Sequence, residues 1–488
     1  MRVIVAGAGM AGLSCAYELL KAKDAPEVTL LESSSRAGGK VLSESEGGVV
    51  FEAGPDSFIT QKPWALELIR ELGLEGRLLP TDRVRKDVHV FSRGRLRKYP
   101  EGLMLMAPTK VWPFLLCDLL PLKDKLRMGL EPLCPPPPPD QDESLAAFTR
   151  RRFGEAALRV IVGPILAGIF AGDPEELSLK STFPQFLELE KKHGSVLLGM
   201  RAAARRRSQG AAAPSASGLE PGKAAGAAKR PRGDLTLFMA LRGGLGELVD
   251  ALLVRVGGVL RTGAGVRSIR RQGALWRVEL SSGEVQESDA LVLAMPADSA
   301  ALALREVDPV LAGLAGAIPF TSTATVSLLY PAKDFPHPLD GFGFVVERSE
   351  PTTVLAATYT STKFPGRVPK DKVLIRCFLG GAGREETLKK DDAGLVAAVR
   401  EDLSRIMGFD LEPEKAKVYR WEKANPQFIV GHGERLVRME ERLAAQPGLI
   451  LAGGSYRGVG VPECVRSGRE AARLILAAGS VPPAGTVI

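Results

Sequence analysis

The 488-residue chain has only five cysteines, Cys15, Cys117, Cys134, Cys377 and Cys464, odd in number, scattered and without a CxxC pair. That pattern excludes a disulfide framework and a cysteine-ligated zinc site, and fits a reducing compartment. The four histidines, His89, His193, His337 and His432, show no metal-ligand spacing, so no metal is expected. No run of roughly 18 or more apolar residues is present, which excludes a helix that spans a bilayer. A strand-like segment starts at Arg2, where a signal peptide would need its own regions, so no signal peptide is expected, and the expected location is cytoplasmic with peripheral membrane association. Charge of one sign is also scarce outside one segment. The formal charge is +8, but Arg201 to Arg232 holds eight Lys/Arg against Glu220 alone, and subtracting that +7 from +8 leaves +1. A basic nucleic-acid-binding face is thereby excluded. The segment, rich in Ala, Gly, Ser and Pro, reads as a flexible basic loop over 201–233, solvated or touching anionic lipid.

What the chain does have begins at its first residues. Arg2 to Ala6 reads as a buried strand, Gly7-Ala8-Gly9-Met10-Ala11-Gly12 as a turn, and the following residues as a helix with Leu13, Ala16, Tyr17 and Leu20 on one face. Gly7 allows the tight turn, Gly9 lets backbone N–H groups approach a pyrophosphate, and Gly12 lets helix and sheet pack closely. The anion then sits at a helix N-terminus. A second strand, Glu27 to Leu31, ends at Glu32, about twenty residues past Gly12, where ribose hydroxyls need an acceptor. These features predict a dinucleotide site.

The next residues, Ser33 to Arg36-Ala37-Gly38-Gly39-Lys40, resemble the RxGG element of the amine oxidase and phytoene desaturase superfamily. The resemblance implies FAD, with the glycine pair passing close to the flavin and Arg36 reaching toward phosphate. On the residues alone, Gly38-Gly39 and Gly47-Gly48 also suit simple hairpin turns.

Further along, Asp289 to Pro296 and Gly448 to Gly454 read as buried strands, the latter followed by a helix from about Pro462 to Ala478. From Tyr99 to about Met200 the texture is helical and rich in Leu and Met, including Leu103-Met-Leu-Met-Ala and Val111 to Leu120. Pro135 to Pro139 read as a rigid extended linker, with a proline-recognition ligand as the alternative, and a further helix is expected from near Glu143. Alternating strands return at Thr323 to Tyr330 and Val373 to Leu379. The expected fold is α/β: a discontinuous Rossmann-like FAD-binding domain (1–80, 234–298, 420–488), a mixed-sheet substrate domain (81–99, 299–419) and an inserted helical domain (100–200).

Over nearly its whole length the chain resembles the oxygen-dependent protoporphyrinogen oxidases. The specific segments are Gly168-Ile-Phe-Ala-Gly-Asp-Pro-Glu-Glu-Leu-Ser with Ser181-Thr-Phe-Pro, Phe238 to Leu245, Asp340-Gly-Phe-Gly-Phe, Pro426 to His432, and Ser455-Tyr-Arg-Gly-Val-Gly-Val461. The resemblance implies that Gly7, Ala8, Gly9, Met10, Ala11, Gly12, Glu32 and Arg36 hold the pyrophosphate and ribose. Gly39, Lys40, Gly54, Pro55, Asp56 and Ser57 would run along the flavin. Val266 would pair its backbone with the adenine, and Trp421 also belongs to the implied cofactor set. Gly454, Val459, Gly460 and Val461 would meet the isoalloxazine at a helix N-terminus. Pro462-Glu463 replaces the family's frequent Asn-Asp, and Ser455-Tyr456 stand where some relatives attach FAD to cysteine, so non-covalent binding is implied.

For substrate, the resemblance implies Arg97 against a propionate, the Gly168 carbonyl beside the macrocycle, and Phe342 and Phe378 lining an apolar pocket. Arg97 also fits a solvated basic hairpin, and both aromatics fit a core. The implied reaction is oxidation of protoporphyrinogen IX to protoporphyrin IX. Hydride passes from a methylene bridge to FAD N5 and O2 is reduced to H2O2, over six electrons in all, with no side-chain acid or base. Coproporphyrinogen III, with four propionates, is the alternative substrate. Other amine-oxidase-fold chemistry and a flavin scaffold without turnover are more distant readings. The 100–200 helices are expected to dock peripherally on a membrane, with an internal helical core as the alternative. A homodimer is a further expectation.

Overall fold

The computed structural model describes residues 1–108, 110–135, 142–208, 235–479 and 481–488. The greater part of the expected basic loop, 209–233, and Pro136 to Pro139 of the linker lie outside the described residues. The chain forms two compact units, one of Met1–Pro80, Leu235–Pro319 and Gly431–Ile488, the other of Thr81–Asp234 and Phe320–Val430.

The first unit is built on a six-stranded parallel sheet. In spatial order its strands are Leu260–Arg261, Glu27–Leu31, Arg2–Ala6, Ala290–Leu293, Leu449–Leu451 and Thr486–Val487. Strands from both ends of the chain thus share one sheet, and their continuous apolar runs are those of strands covered on both faces. Leu13, Cys15, Leu19, Leu30, Val292, Ile450 and Ile475 are fully buried in its core. Each such aliphatic side chain contributes about 1.5–3 kcal/mol by leaving water. The helices Met10–Leu20 and Val461–Ala478 pack backbone to backbone, since a Cβ at Gly468 would stand 2.0 Å from the Ala11 carbonyl oxygen.

Two boundaries differ from the expected domains, for identifiable reasons. Residues 299–319 stay with the first unit because the helix Pro309–Gly316 packs against His432–Leu443, tied by Arg442 Nε to Asp308 at 2.7 Å. Residues 420–430 join the second unit because Lys415–Pro426 is one strand, paired along most of its length with Phe320–Pro331.

The second unit carries a seven-stranded mixed sheet, in the order Lys415–Pro426, Phe320–Pro331, Lys372–Gly380, Ala356–Tyr359, Gly343–Val346, Val88–Ser92 and Arg95–Lys98. Only the Gly343–Val346 to Val88–Ser92 pairing is parallel. Phe91, Val326, Phe344, Ala357 and Cys377 bury one face against Leu395, Val399 and Leu403 of the helix Asp392–Met407.

The same unit contains the helices Val111–Leu116, Leu122–Gly129, Leu145–Phe153, Gly163–Phe170, Pro184–His193 and Val196–Ser208. Ser144 caps the third by accepting from the Ala147 N–H, as its position before the apolar run requires. Buried Arg152 pairs with Glu131 and Glu190 within this region. Two local expectations are corrected. Leu103–Met104 and Ala107–Pro108 form a two-stranded hairpin rather than a helix, turning at Leu105 with φ +52. A five-residue apolar run has no period long enough to separate helix from strand. Residues 201–208 of the expected loop continue a helix, because Ala and Arg are strong helix formers.

Candidate functional site

In the first unit the Gly7–Gly12 turn links the first strand to the helix that begins at Met10. Gly7 has φ +104, and a Cβ at Gly12 would lie 1.8 Å from the Gly7 carbonyl oxygen, so side chains are shut out of the inner curve. A Cβ at Gly9, by contrast, would meet nothing within 4 Å. Gly9 caps the helix with no side chain, so no side-chain cap takes the first-turn N–H groups of Met10 and Ala11 at the positive end of the dipole. An anion fits this cradle.

Glu32 leaves the neighbouring strand and accepts from the Ala8 N–H at 2.9 Å, while its second oxygen accepts from the Ser34 N–H at 2.9 Å and Ser34 Oγ at 2.8 Å. Ser33 Oγ donates to that second oxygen as well, at 3.3 Å, so a ribose hydroxyl would take over a site that a rotatable serine hydroxyl holds here. Val266 starts the strand Val266–Gln272 two residues after Ala264, whose N–H donates to the Glu32 carbonyl at 2.8 Å. The adenine-end candidates therefore adjoin.

Arg36 donates to the carbonyls of Gly39 at 2.6 Å and Ala37 at 3.2 Å, bracing the glycine pair. The Gly38 N–H donates to the Ala8 carbonyl at 2.8 Å, and a Cβ at Gly39 would stand 3.1 Å from Gly9 Cα. The RxGG segment thus lies directly on the glycine turn. Gly54, Pro55, Asp56 and Ser57 follow as a half-buried loop in which Ser57 Oγ donates to Asp56 at 2.6 Å.

The other end of the chain supplies a second helix N-terminus. Gly460 caps Val461–Ala478 without a side chain, and Pro462 occupies the first turn, where a missing N–H costs nothing. Gly454, Val459, Gly460 and Val461 are half-buried. Glu463 pairs with Lys62, and the Arg466 guanidinium lies 5.3 Å from the Trp64 ring centre.

Lys40 connects this end to the RxGG loop. Its side chain is open to water, yet crowding by protein atoms lowers its ammonium pKa, while Cys464 and Asp298 pull it the other way. Burial raises the Cys464 thiol, opposed by Lys40 and the Gly454 N–H. Cys464, Asp298, Lys62 and Glu463 were not singled out as site residues from sequence. Of these, only Glu463 left a signal, as the second residue of the Pro-Glu departure.

The remaining candidates belong to the second unit. Cross-strand register places Tyr419, Thr325, Phe378, Ala356, Val345, Val90 and Arg97 in one row across all seven strands. Paired residues share a face, so Arg97 and Phe378 project from the same side, opposite the helix-covered core. Trp421, two residues beyond Tyr419 and paired with Thr323, belongs to that face too. Arg97 donates to Asp118 at 2.6 Å with its side chain only 13% exposed.

Phe342 precedes the strand Gly343–Val346, half-buried, with its backbone held by Asp87 and Tyr359. Gly168 is exposed in the last turn of Gly163–Phe170, where the helix itself offers its carbonyl no donor. A π-turn over Leu158–Val162 feeds this helix at Pro164, a geometry frequent at functional sites.

A family model described as flavin containing amine oxidoreductase matches residues 10–476. The chain is 34% identical over 476 residues to coproporphyrinogen III oxidase of Bacillus subtilis (strain 168), covering 96% of each chain. It is 31% identical over 500 residues to protoporphyrinogen oxidase of Homo sapiens, covering 97% of this chain and 98% of that one. A crystal structure from Exiguobacterium sp. 255-15, provisionally named a protoporphyrinogen oxidase, superposes with a TM-score of 0.83 at 30% identity, covering 97% of this chain and 98% of that one.

Proposed function

Because this chain belongs to the family of flavin containing amine oxidoreductases, we propose that it is an FAD-dependent oxidase of porphyrinogens, converting protoporphyrinogen IX to protoporphyrin IX. The observation that carries this reading is the pair of uncapped helix N-termini, at Gly9 and Gly460, within one unit. Two such termini suit the two ends of a long dinucleotide, and one alone would suit a shorter one. When bound, FAD supplies the hydride acceptor and passes the electrons on to O2, giving H2O2.

The protein's own residues bind and orient. The N–H groups of Gly9 to Ala11 hold the pyrophosphate, Glu32 receives the ribose, and Val266 meets the adenine. The positive end of Val461–Ala478 favours negative charge on the isoalloxazine. No covalent attachment is required. On the second unit Arg97 pairs with a propionate, while Phe378 and Phe342 give the macrocycle apolar contact. The macrocycle's own pyrrole N–H releases the proton, so no side-chain acid or base is needed.

The test is the visible flavin spectrum of the purified protein, followed by porphyrin fluorescence and H2O2 release with protoporphyrinogen IX. Flavin without turnover of any porphyrinogen would leave only a scaffold role. A second reading, coproporphyrinogen III as substrate, draws on the 34% identity to the Bacillus subtilis protein. Running both porphyrinogens in the same assay separates the two.

We further infer peripheral docking on a membrane surface. Trp112 is 73% exposed, Leu116 82% and Leu133 79%, with Leu122, Leu126 and Leu130 also largely bare. Apolar exposure on this scale marks an interaction surface, and the same stretch of sequence carries Lys110 and Lys123, which suits a headgroup boundary. No helix among the described residues is long and apolar enough to cross a membrane. Flotation with anionic liposomes tests it, and failure to co-float rejects it.

A further inference from the structure

The helix Gly163–Phe170, which carries Gly168 in its last turn, ends on a strained residue. Ala171 closes it at φ +49 and ψ +31, in the left-handed region, which a residue with a Cβ seldom holds unless its surroundings impose it. The Ala171 carbonyl accepts from the Ala382 N–H at 2.9 Å and from the Thr321 hydroxyl at 3.3 Å. The preceding carbonyl, that of Phe170, accepts from Gln427 Nε2 at 3.0 Å. Gln427 is 5% exposed, and its Nε2 also donates to the Asn425 carbonyl at 3.0 Å and lies 3.2 Å from the Thr321 hydroxyl oxygen. Its Oε1 sits against Gly172, where a Cβ would stand 2.2 Å away. One buried amide, just past the strand Lys415–Pro426, thus holds the end of the helix. The clamp leaves a carbonyl out. Among the described residues nothing donates to the Gly168 carbonyl. Gly168 is exposed, and a Cβ there would meet nothing within 4 Å. An exposed carbonyl on a fixed helix end is a ready acceptor for an N–H group of a ligand.

We propose that Gln427 is a positioning residue for porphyrinogen oxidation, holding the Phe170–Ala171 turn so that the Gly168 carbonyl meets a pyrrole N–H. The inference rests on the porphyrinogen reading above. As hydride leaves a methylene bridge, the positive charge left behind spreads onto the adjacent pyrroles and makes their N–H groups stronger donors. The carbonyl therefore binds the activated state more tightly than the substrate, so misplacing it lowers kcat rather than raising KM. The pyrroles are common to both porphyrinogens, and both should respond alike, unlike a contact to propionates.

The experiment measures KM and kcat per bound flavin for protoporphyrinogen IX and coproporphyrinogen III, with melting temperatures, in wild type, Gln427→Met and the double variant Gln427→Met with Ala171→Gly. Met nearly matches Gln in volume but donates nothing. Gln427→Met should lower kcat by about tenfold for both substrates, with KM within about twofold and the flavin spectrum unaltered. Glycine adopts the left-handed conformation without a clamp, so Ala171→Gly should recover about threefold of that kcat in the Met background. A purely structural role would lower the melting temperature and leave kcat per flavin unchanged. That result, a raised KM at constant kcat, or no recovery in the double variant overturns the proposal. If Gln427→Met does not fold, Thr321→Val decides, since it removes the hydroxyl beside both Gln427 and the Ala171 carbonyl. A kcat lowered at constant KM then supports the clamp, and an unchanged kcat rejects it. Wild-type protein that oxidises neither porphyrinogen overturns the underlying reading and this one with it. Wild-type activity with unaltered kcat in the variants overturns the role of Gln427 alone.

Discussion

At Gly12 an added methyl group would lie 1.8 Å from the Gly7 carbonyl oxygen, on backbone that cannot rotate away. Gly12→Ala is expected to cost about 1–3 kcal/mol by overpacking and to open the turn that aims the N–H groups. Protein purified from this variant should carry much less flavin per chain, and a full flavin complement would show that the turn tolerates the change. Arg97→Ala should raise KM for porphyrinogen by about tenfold with the flavin spectrum intact, and unchanged kinetics would remove Arg97 from the site. The glycine turn was legible in the sequence because its spacing is local: strand, turn and helix follow one another within twenty residues. The row that joins Arg97 to Phe378 was not. It exists only through the register of intervening strands drawn from distant parts of the chain, and no short-range pattern encodes that.

Among the elements, the helix Pro309–Gly316 shows how one cap couples to pH. Asp308 accepts from the Val310 and Leu311 N–H groups at 3.0 Å and from Arg442 at 2.7 Å. Burial by itself would raise its carboxyl pKa, but Arg442 and the two backbone donors outweigh it and hold the group below its ordinary 3.8. A depressed folded-state pKa means the stabilisation is fully present above that ordinary value and is lost as pH falls through the folded one. Asp308→Ala should therefore lower stability at neutral pH by about 1–2 kcal/mol, mostly the cap, since half-exposed Arg442 is screened. The gap between variant and wild type in denaturant midpoints should close below the ordinary carboxylate range, and a constant gap would refute the coupling.

The Val111–Leu116 helix makes a separate prediction. Trp112→Ser with Leu116→Ser should abolish co-flotation with anionic liposomes without altering flavin content, because both side chains are already in water in the free protein. Long apolar and periodic segments revealed these elements in the sequence. The hairpin at 103–108 escaped because a run that short carries no period.

For the whole molecule, flavin binding and folding are linked. The first unit is assembled from three separate stretches, and the candidate cofactor contacts at Gly7–Gly12, Glu32, Val266 and Gly454–Val461 draw on all of them. A ligand bound only by the folded state stabilises by about 2.7 kcal/mol at a hundred times its dissociation constant. Stripping the flavin should lower the melting temperature and adding FAD back should restore it; a melt indifferent to flavin would deny that the three stretches share the site. The sequence by itself determined the dinucleotide turn, the RxGG loop, the terminal helix and the kind of sheet, because these depend on turn geometry, helix capping and continuous apolar runs, all local. Tertiary structure decided what lies beside what. It set Lys40 beside Cys464 and Asp298, gave Glu463 to Lys62, and ranged Arg97 and Phe378 along one face. Those relations are fixed by strand pairing and close helix packing across hundreds of residues, where free energy comes from burial that no local segment achieves alone.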